Sequence, residues 1–476
     1  GWTIGGLVGN VNATAAMPNP MVLRRCYNSG NLTSKATASK SSTGMGGLLA
    51  LFTPGTLVDS CYNTGTITQS AKCTYAGGLI GYYKIAPTEA LPMTISNSYN
   101  AGTVNAVGNQ GGGIIAYTQH YTTIADCYNT GNVTGGFGLG GITANLGSAT
   151  ARMLRCYNTG KISSNKNRAG GLIGWNSSNS TVEDCFNAGE VEITIDPVEN
   201  ANNHNLTDGY SAGGLAGASA ASYVRCYNIG TVTGKCRVGG LVGETSKNTT
   251  SFTSCYNAGK LVAPVDTCGN IIGINPVNNG RYWTADNKVS GVYYLSQDSV
   301  RADTIGSALD SRALAALQLG EGWTSDGYTY PLLADNQPDF ARLFAAQVAL
   351  SEADAKTGVI TGDFHVGMPQ GLNWTPSTAY AALFGNEFKW NTAYKGKLTL
   401  TANIGTLTKT VELDVDTQAT YDGIDDVDAA RELQSEQWYT TAGLRIAKPT
   451  EHDGQLYIVI RCYTDGTRTT ERVLNR

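Results

Sequence analysis

A Cys-Tyr-Asn triplet, or a close variant of it, recurs eight times along this chain, coupled each time to a Gly-Gly-aliphatic motif. The triplets begin at Cys26, Cys61, Ser98, Cys127, Cys156, Cys185, Cys226 and Cys255. Four of the seven gaps are 29 residues, and the others are 35, 37 and 41. A fixed period with occasional longer gaps predicts stacked repeats whose insertions leave as loops. It also makes a scaffold a more natural product than a compact enzyme.

Aligned on the Cys, each column has a physical role. Three residues before it the side chain is always apolar or aromatic, from Leu23 and Val58 to Tyr223 and Phe252. The next residue after it is aromatic in all eight repeats, from Tyr27 to Tyr256, and Asn follows without exception, from Asn28 to Asn257. A Gly lies two positions beyond the Asn (Gly30 to Gly259), and an aliphatic side chain sits six after the Cys (Leu32 to Leu261). Thr, Val and Ile in short alternation favour strands. Asn and Gly mark bends that need a left-handed backbone, and stacked Asn amides can bond along a ladder. The glycine pairs let neighbouring turns approach where a Cβ would clash. No stretch of ten residues in the repeats has helical periodicity, so two or three short strands per repeat predict an all-β parallel β-helix. A leucine-rich repeat has a compatible period but needs several Leu per unit, whereas Gly dominates here. Nine coils at ~4.8 Å would form a rod on the order of 40 Å long.

Composition excludes several partners. The net charge is -4 and only 15% of residues are charged, which argues against nucleic acid or an anionic membrane. No segment approaches the ~20 apolar residues of a spanning helix. The N-terminus, Gly5-Gly6-Leu7-Val8-Gly9, reads as repeat and not as a signal peptide, so a mature or trimmed chain is expected, with further coils preceding it. Seven of the eleven Cys occupy the repeat position. Stacked in register, their parallel Cβ vectors keep the sulfurs apart, so they are expected to be buried free thiols acting as small hydrophobes. Ser98 in the same column agrees with that. Cys236 and Cys268 lie outside the column in successive repeats, and a bridge between them is left open.

These alternating Cys-Tyr-Asn-x-Gly and Gly-Gly-Leu-x-Gly units resemble the GLUG-type repeats of bacterial surface proteins, common in adhesin-like proteins of the Bacteroidetes. The resemblance covers about residues 1–295 and implies no shared catalytic motif. Val292-Tyr293-Tyr294 reads as a degenerate last triplet, which closes a solenoid over 1–297. A segment over 298–345 follows, with Ser311 capping a short helix through Ala313–Leu317, and it is expected to cover the last coil's open edge. Residues 346–416 contain a hairpin pattern around Lys397–Ala402 and Thr408–Val415 and resemble bacterial immunoglobulin-like modules. Residues 417–476, an acidic linker then strands such as Gly454–Ile460, resemble the C-terminal sorting domains of secreted Bacteroidetes proteins. That likeness implies export to the cell surface or outer membrane.

Candidate chemistry is sparse. Gly209-Tyr210-Ser211-Ala212-Gly213 matches a nucleophile elbow, and Gly136, Gly138 and Gly141 match a dinucleotide spacing, but in both the repeat's own glycines produce the match and no helix follows. None of the four His has a zinc-type partner. Carboxylates at Asp126 and Asp184 share a column two coils apart, ~10 Å at this pitch, a marginal geometry for glycoside hydrolysis; Arg155, Arg225 and Arg25 in that column suggest a salt-bridged stripe. The aromatic column, with Tyr128, Tyr157 and Tyr227 as its central members, is a candidate ladder for sugar rings or partner proteins. The competing reading is that its rings stack on one another and cover a corner. The longest insertion, about 192–210, holds Asp196, Glu199, His204 and Asp208, which could bind a glycan or calcium, or form a solvated loop. The resulting expectation is a non-catalytic, monomeric, surface-exposed adhesin-like protein. It would bind a host glycan or surface protein, with no nucleic acid, cofactor or resident metal, and would associate with the outer membrane through its C-terminal module. A polysaccharide lyase or glycosidase and a structural filament component are the alternatives.

Overall fold

The computed structural model describes residues 3–15, 19–39, 43–196, 210–246, 249–264, 268–273, 288–297, 305–418, 433–449, 455–463 and 468–475. The chain divides into two compact units, Gly1–Gln347 and Val348–Arg476.

The first unit is a parallel β-helix, as the repeats predict. Equivalent strands of successive coils pair in register: Ala76 lies between Met45 and Gly111, and Tyr128 between Tyr99 and Tyr157. Coils are more finely divided than the sequence pattern indicates. One full turn carries five short strands, Tyr128–Asn129, Val133–Gly135, Leu139–Gly140, Thr143–Leu146 and Arg152–Leu154. The extra breaks have a local cause. The residue before each Cys-column position is left-handed although it is never Gly, with φ from 47° at Arg155 to 55° at Ser60. This bend separates two strands that a linear pattern reads as one.

Four sheets result. Strands entering the Gly-Gly pair form a nine-stranded sheet from Ile4–Gly5 to Cys268–Gly269. Strands leaving it form a seven-stranded sheet from Leu49–Phe52 to Val242–Thr245. The two lie back to back as an arch with a glycine seam: a Cβ on Gly81 would fall 2.6 Å from Met45 N, and one on Gly46 would fall 2.6 Å from Leu79 O. Outward of this seam lie two apolar cores. One packs Leu49, Ile80, Ile115 and Ile173 against Val58, Ile95, Ile124 and the buried cysteines. The other packs Met45, Ala76, Leu139 and Val238 against Ile67, Val104, Val133 and Val232.

The Asn column joins the cores at the tip of the arch. Each Asn Nδ2 donates to the next Asn Oδ1, from Asn28 to Asn257, at 2.7–2.9 Å. Most also donate to the Gly carbonyl two residues on, as Asn129 does to Gly131 at 2.7 Å. The second glycine of each pair makes room for this amide.

The Cys column consists of free thiols, buried in the apolar core except for the half-buried Cys26, as expected of small hydrophobes, and it also makes hydrogen bonds. All eleven cysteines are free, including Cys236 and Cys268. The Cys127 thiol lies 3.1 Å from Ala125 O, and Cys156 N donates to Cys185 Sγ at 3.2 Å. Where Ser98 stands in, Cys61 N donates to its Oγ at 3.0 Å, and that hydroxyl donates to Ser96 O at 2.6 Å. The column therefore needs a small side chain that mends the sheet's hydrogen bonding at the left-handed bend, and a hydroxyl meets that need as well as a thiol.

Val289–Leu295 continues the stack, pairing Val292, Tyr293 and Tyr294 with Cys255, Tyr256 and Asn257, so the degenerate triplet is a true coil position. Ser307–Leu309 adds one further strand. The following helix α1 (Ser311–Ala315) is capped by Asp310, whose Oδ1 accepts from Ala313 N at 2.7 Å, and not by Ser311. Together with Trp323–Thr324, Leu332–Leu333 and helix α2 (Asp339–Ala345), α1 packs on Phe186, Tyr227 and Tyr256. This segment thus pairs with the edge of the last coil through Ser307–Leu309 and also covers the flank of the later coils, which the sequence did not indicate.

In the second unit, two four-stranded sheets are built around the hairpin Lys395–Ile404 and Leu407–Asp416 and around Glu387–Trp390. Alternate residues Leu398, Leu400, Ala402 and Ile404 are buried. A four-stranded antiparallel sheet, Leu433–Thr440, Arg445–Ile446, Leu456–Tyr463 and Arg468–Leu474, has Trp438, Tyr457 and Val459 as its core.

Candidate binding surface

The aromatic column is one unbroken stack. Ring centroids from Tyr27 to Tyr256 are 4.7–5.1 Å apart with interplanar angles of at most 16°. In-register pairing at the strand spacing enforces this, because each ring sits directly over its equivalent. Both faces of every inner ring are consumed by its neighbours. A sugar ring, which stacks on an aromatic face, finds no platform there. Tyr128 and Tyr157 are half-buried. Tyr227 is fully buried beside Trp323, at 5.9 Å between centroids, and presents no surface to a ligand. Burial raises the phenol pKa values of Tyr128 and Tyr157, and that of Tyr227 most of all, so these hydroxyls stay neutral.

The other sequence candidates are scattered or engaged. Asp196 is exposed and paired with Lys235; Glu199, His204 and Asp208 lie outside the described residues. Asp126 receives a bidentate pair from Arg155, at 2.6 and 2.8 Å, and Asp184 one from Arg225, at 2.6 and 3.0 Å. Each carboxylate is thereby held by the arginine of the next coil, as the stripe reading anticipates. Ser211 is fully buried where the Gly-Gly strand begins, which no nucleophile elbow permits. His120 contacts Ser148, Nδ1 to Oγ at 2.8 Å. Among the described residues no three metal-ligating side chains cluster, and no helix is long and apolar enough to cross a membrane.

The column pattern centred on Cys overlooks a second row. Residues two before and five after the first glycine of each pair face each other across the open side of the arch. Tyr75 stacks on Tyr82 at 4.0 Å, Arg168 lies over Trp175 at 5.3 Å, and Arg237 pairs with Glu244 at 2.9 Å. The signal in the sequence is a seven-residue spacing bracketing each Gly-Gly pair. It is hard to see because residue type varies from coil to coil.

Parallel sheets stacked over these coils, followed by small β modules, define the chain as a parallel β-helix protein. No protein-family model matches the chain, and no curated protein matches it. It is similar to a solved structure from Bacteroides ovatus described as a "putative immunoglobulin A1 protease", at 17% identity and a TM-score of 0.37, over 68% of this chain and 94% of the other.

Proposed function

We propose that this chain is a non-catalytic, adhesin-like surface protein of the GLUG-repeat kind, whose solenoid flank binds a host glycan or surface protein. The observation that carries the reading is the row of side chains on successive coils, held in register by parallel sheets. A rigid ladder of this type displays side chains at a fixed spacing from rung to rung, which suits an extended ligand. The tied-up carboxylates Asp126 and Asp184 leave that column with affinity for its own arginines and not for a glycosidic bond. In this reading the modules after residue 347 act as spacer and outer-membrane attachment, the 346–416 module is immunoglobulin-like, and the protein is exported and monomeric.

The test is a screen of the full chain against arrays of host glycans and extracellular host proteins. Saturable binding to a defined subset is the expected result. A blank screen overturns the proposal, and cleavage of any polysaccharide in a parallel assay replaces it with an enzymatic one.

A further inference from the structure

Across the open side of the arch, the coils from Tyr75 to Trp175 bring half-buried aromatic rings beside buried polar atoms. Tyr75, Tyr117 and Trp175 are half-buried, with part of each ring facing solvent. Between them lie polar atoms without hydrogen-bond partners: the acceptors Gln110 Oε1 and Asn145 Oδ1, and the donors Trp175 Nε1 and Arg168 Nε. Gln110 is only 7% exposed and Asn145 only 2%. Buried polar atoms are normally satisfied, so a group of four in adjoining coils asks for a partner that the chain does not supply.

Gly138 stands between Gln110 and Trp175; a Cβ there would lie 3.3 Å from Trp175 Cδ1 and 3.7 Å from Gln110 Cγ. A side chain there would crowd Trp175 and lie against Gln110, so with glycine this coil adds nothing over them. In the next coil the same position is Arg168, since Leu139 pairs with Ala169. Both residues are left-handed, with φ of 65° and 55°, a conformation that favours glycine. Arg168 nonetheless occupies it, with its guanidinium 5.5 Å from the Phe137 ring and 5.3 Å from that of Trp175. No carboxylate among the described residues pairs with it.

We propose that this cleft binds an acidic oligosaccharide lying along the stacked coils. This deepens the adhesin reading above and rests on it. Sugar C–H faces stack on the Tyr117 and Trp175 rings. Hydroxyls, each both donor and acceptor, satisfy the amide oxygens of Gln110 and Asn145 and the indole N–H of Trp175. A uronate or sialate carboxylate takes the Arg168 guanidinium. A peptide is the poorer fit, because the backbone of these strands is already bonded to the coils above and below and offers no edge for strand addition.

The experiment is calorimetric titration of the full chain with a hyaluronan hexasaccharide and with sialyllactose, against neutral chitohexaose. The wild-type chain is expected to bind at least one acidic ligand, and R168Q to weaken that binding tenfold or more. Q110A, a change that removes an unpartnered acceptor, is expected to weaken it several-fold while the thermal melt stays within a few degrees. Equal binding of chitohexaose, or acidic binding undiminished in both variants, overturns the cleft. If the variants keep the wild-type array profile, the cleft falls and the adhesin reading stands. If the wild-type chain binds nothing on any array, both fall.

Discussion

At the scale of single residues, the glycines and asparagines of the repeat form one device. Gly141 shows it: a Cβ there would fall 2.1 Å from Gly171 O and 2.4 Å from Asn158 Cγ. Neither neighbour can yield, because one is backbone and the other is held in the amide ladder, where Asn158 donates to Asn187 at 2.9 Å. Gly141→Ala is therefore expected to destabilise the solenoid by about 3 kcal/mol, at the upper end of overpacking costs. The control is Gly136→Ala, whose Cβ would meet only the flexible Lys166 side chain at 3.4 Å; it should leave the urea midpoint almost unchanged. Similar losses in the two variants would mean that the amide ladder is not the constraint described. The Cys column follows the same rule, since its thiols are kept for small size and hydrogen bonding at a bend and not for reactivity.

At the scale of elements, charge placement matters most in the C-terminal sheet. Glu436, on the strand Leu433–Thr440, accepts from Arg461 Nε at 2.8 Å and from Lys448 Nζ at 3.1 Å. Those partners, Arg461 foremost, lower its pKa from 4.5 to about 2. A carboxyl depressed in the folded state adds stability above its unfolded value, and that contribution is lost as pH falls through the interval between the two. Stability of this sheet should thus decline from about pH 4.5 toward about pH 2. Glu436→Gln should remove that part of the dependence while lowering stability at neutral pH. Amide-exchange protection of strand Leu456–Tyr463, followed against pH in both forms, checks it; identical profiles would refute the assignment.

At the scale of the whole molecule, stability is distributed along the solenoid as in other repeat proteins, with each coil supported by its neighbours. Strands with partners on both sides, such as Leu139–Gly140 and Ala169–Gly170, should exchange their amides slowest. The outermost members of the same sheet, Ile4–Gly5 and Cys268–Gly269, should exchange fastest. Hydrogen–deuterium exchange of the intact chain measures this gradient, and uniform protection across the sheet would contradict the one-dimensional picture. The covered flank belongs to this scale as well. The segment from Ser307 to Ala345 buries the rings of Phe186, Tyr227 and Tyr256 and leaves Tyr27 exposed, so one aromatic column has a structural half and an open half.

The repeat arithmetic alone determined the coil, its register and its parallel sheets, because equivalent residues at a fixed period have to stack. It also carried Val292-Tyr293-Tyr294 as a coil position, while strand alternation marked the hairpin around Gly405. Three things needed the tertiary structure. The left-handed bend before each Cys was hidden because Arg, Ser, Asn and Asp all occupy it, and no residue type announces it. The flank covered by α1 and α2 depends on contacts between residues more than a hundred positions apart, such as Asn336 Nδ2 donating to Asp184 O at 2.9 Å. The cleft around Arg168 arises only when the chain reverses at a Gly-Gly tip and sets residues seven apart face to face. Periodicity records which positions are equivalent, but which side chains meet across a reversal is decided by backbone geometry that only the folded coil supplies.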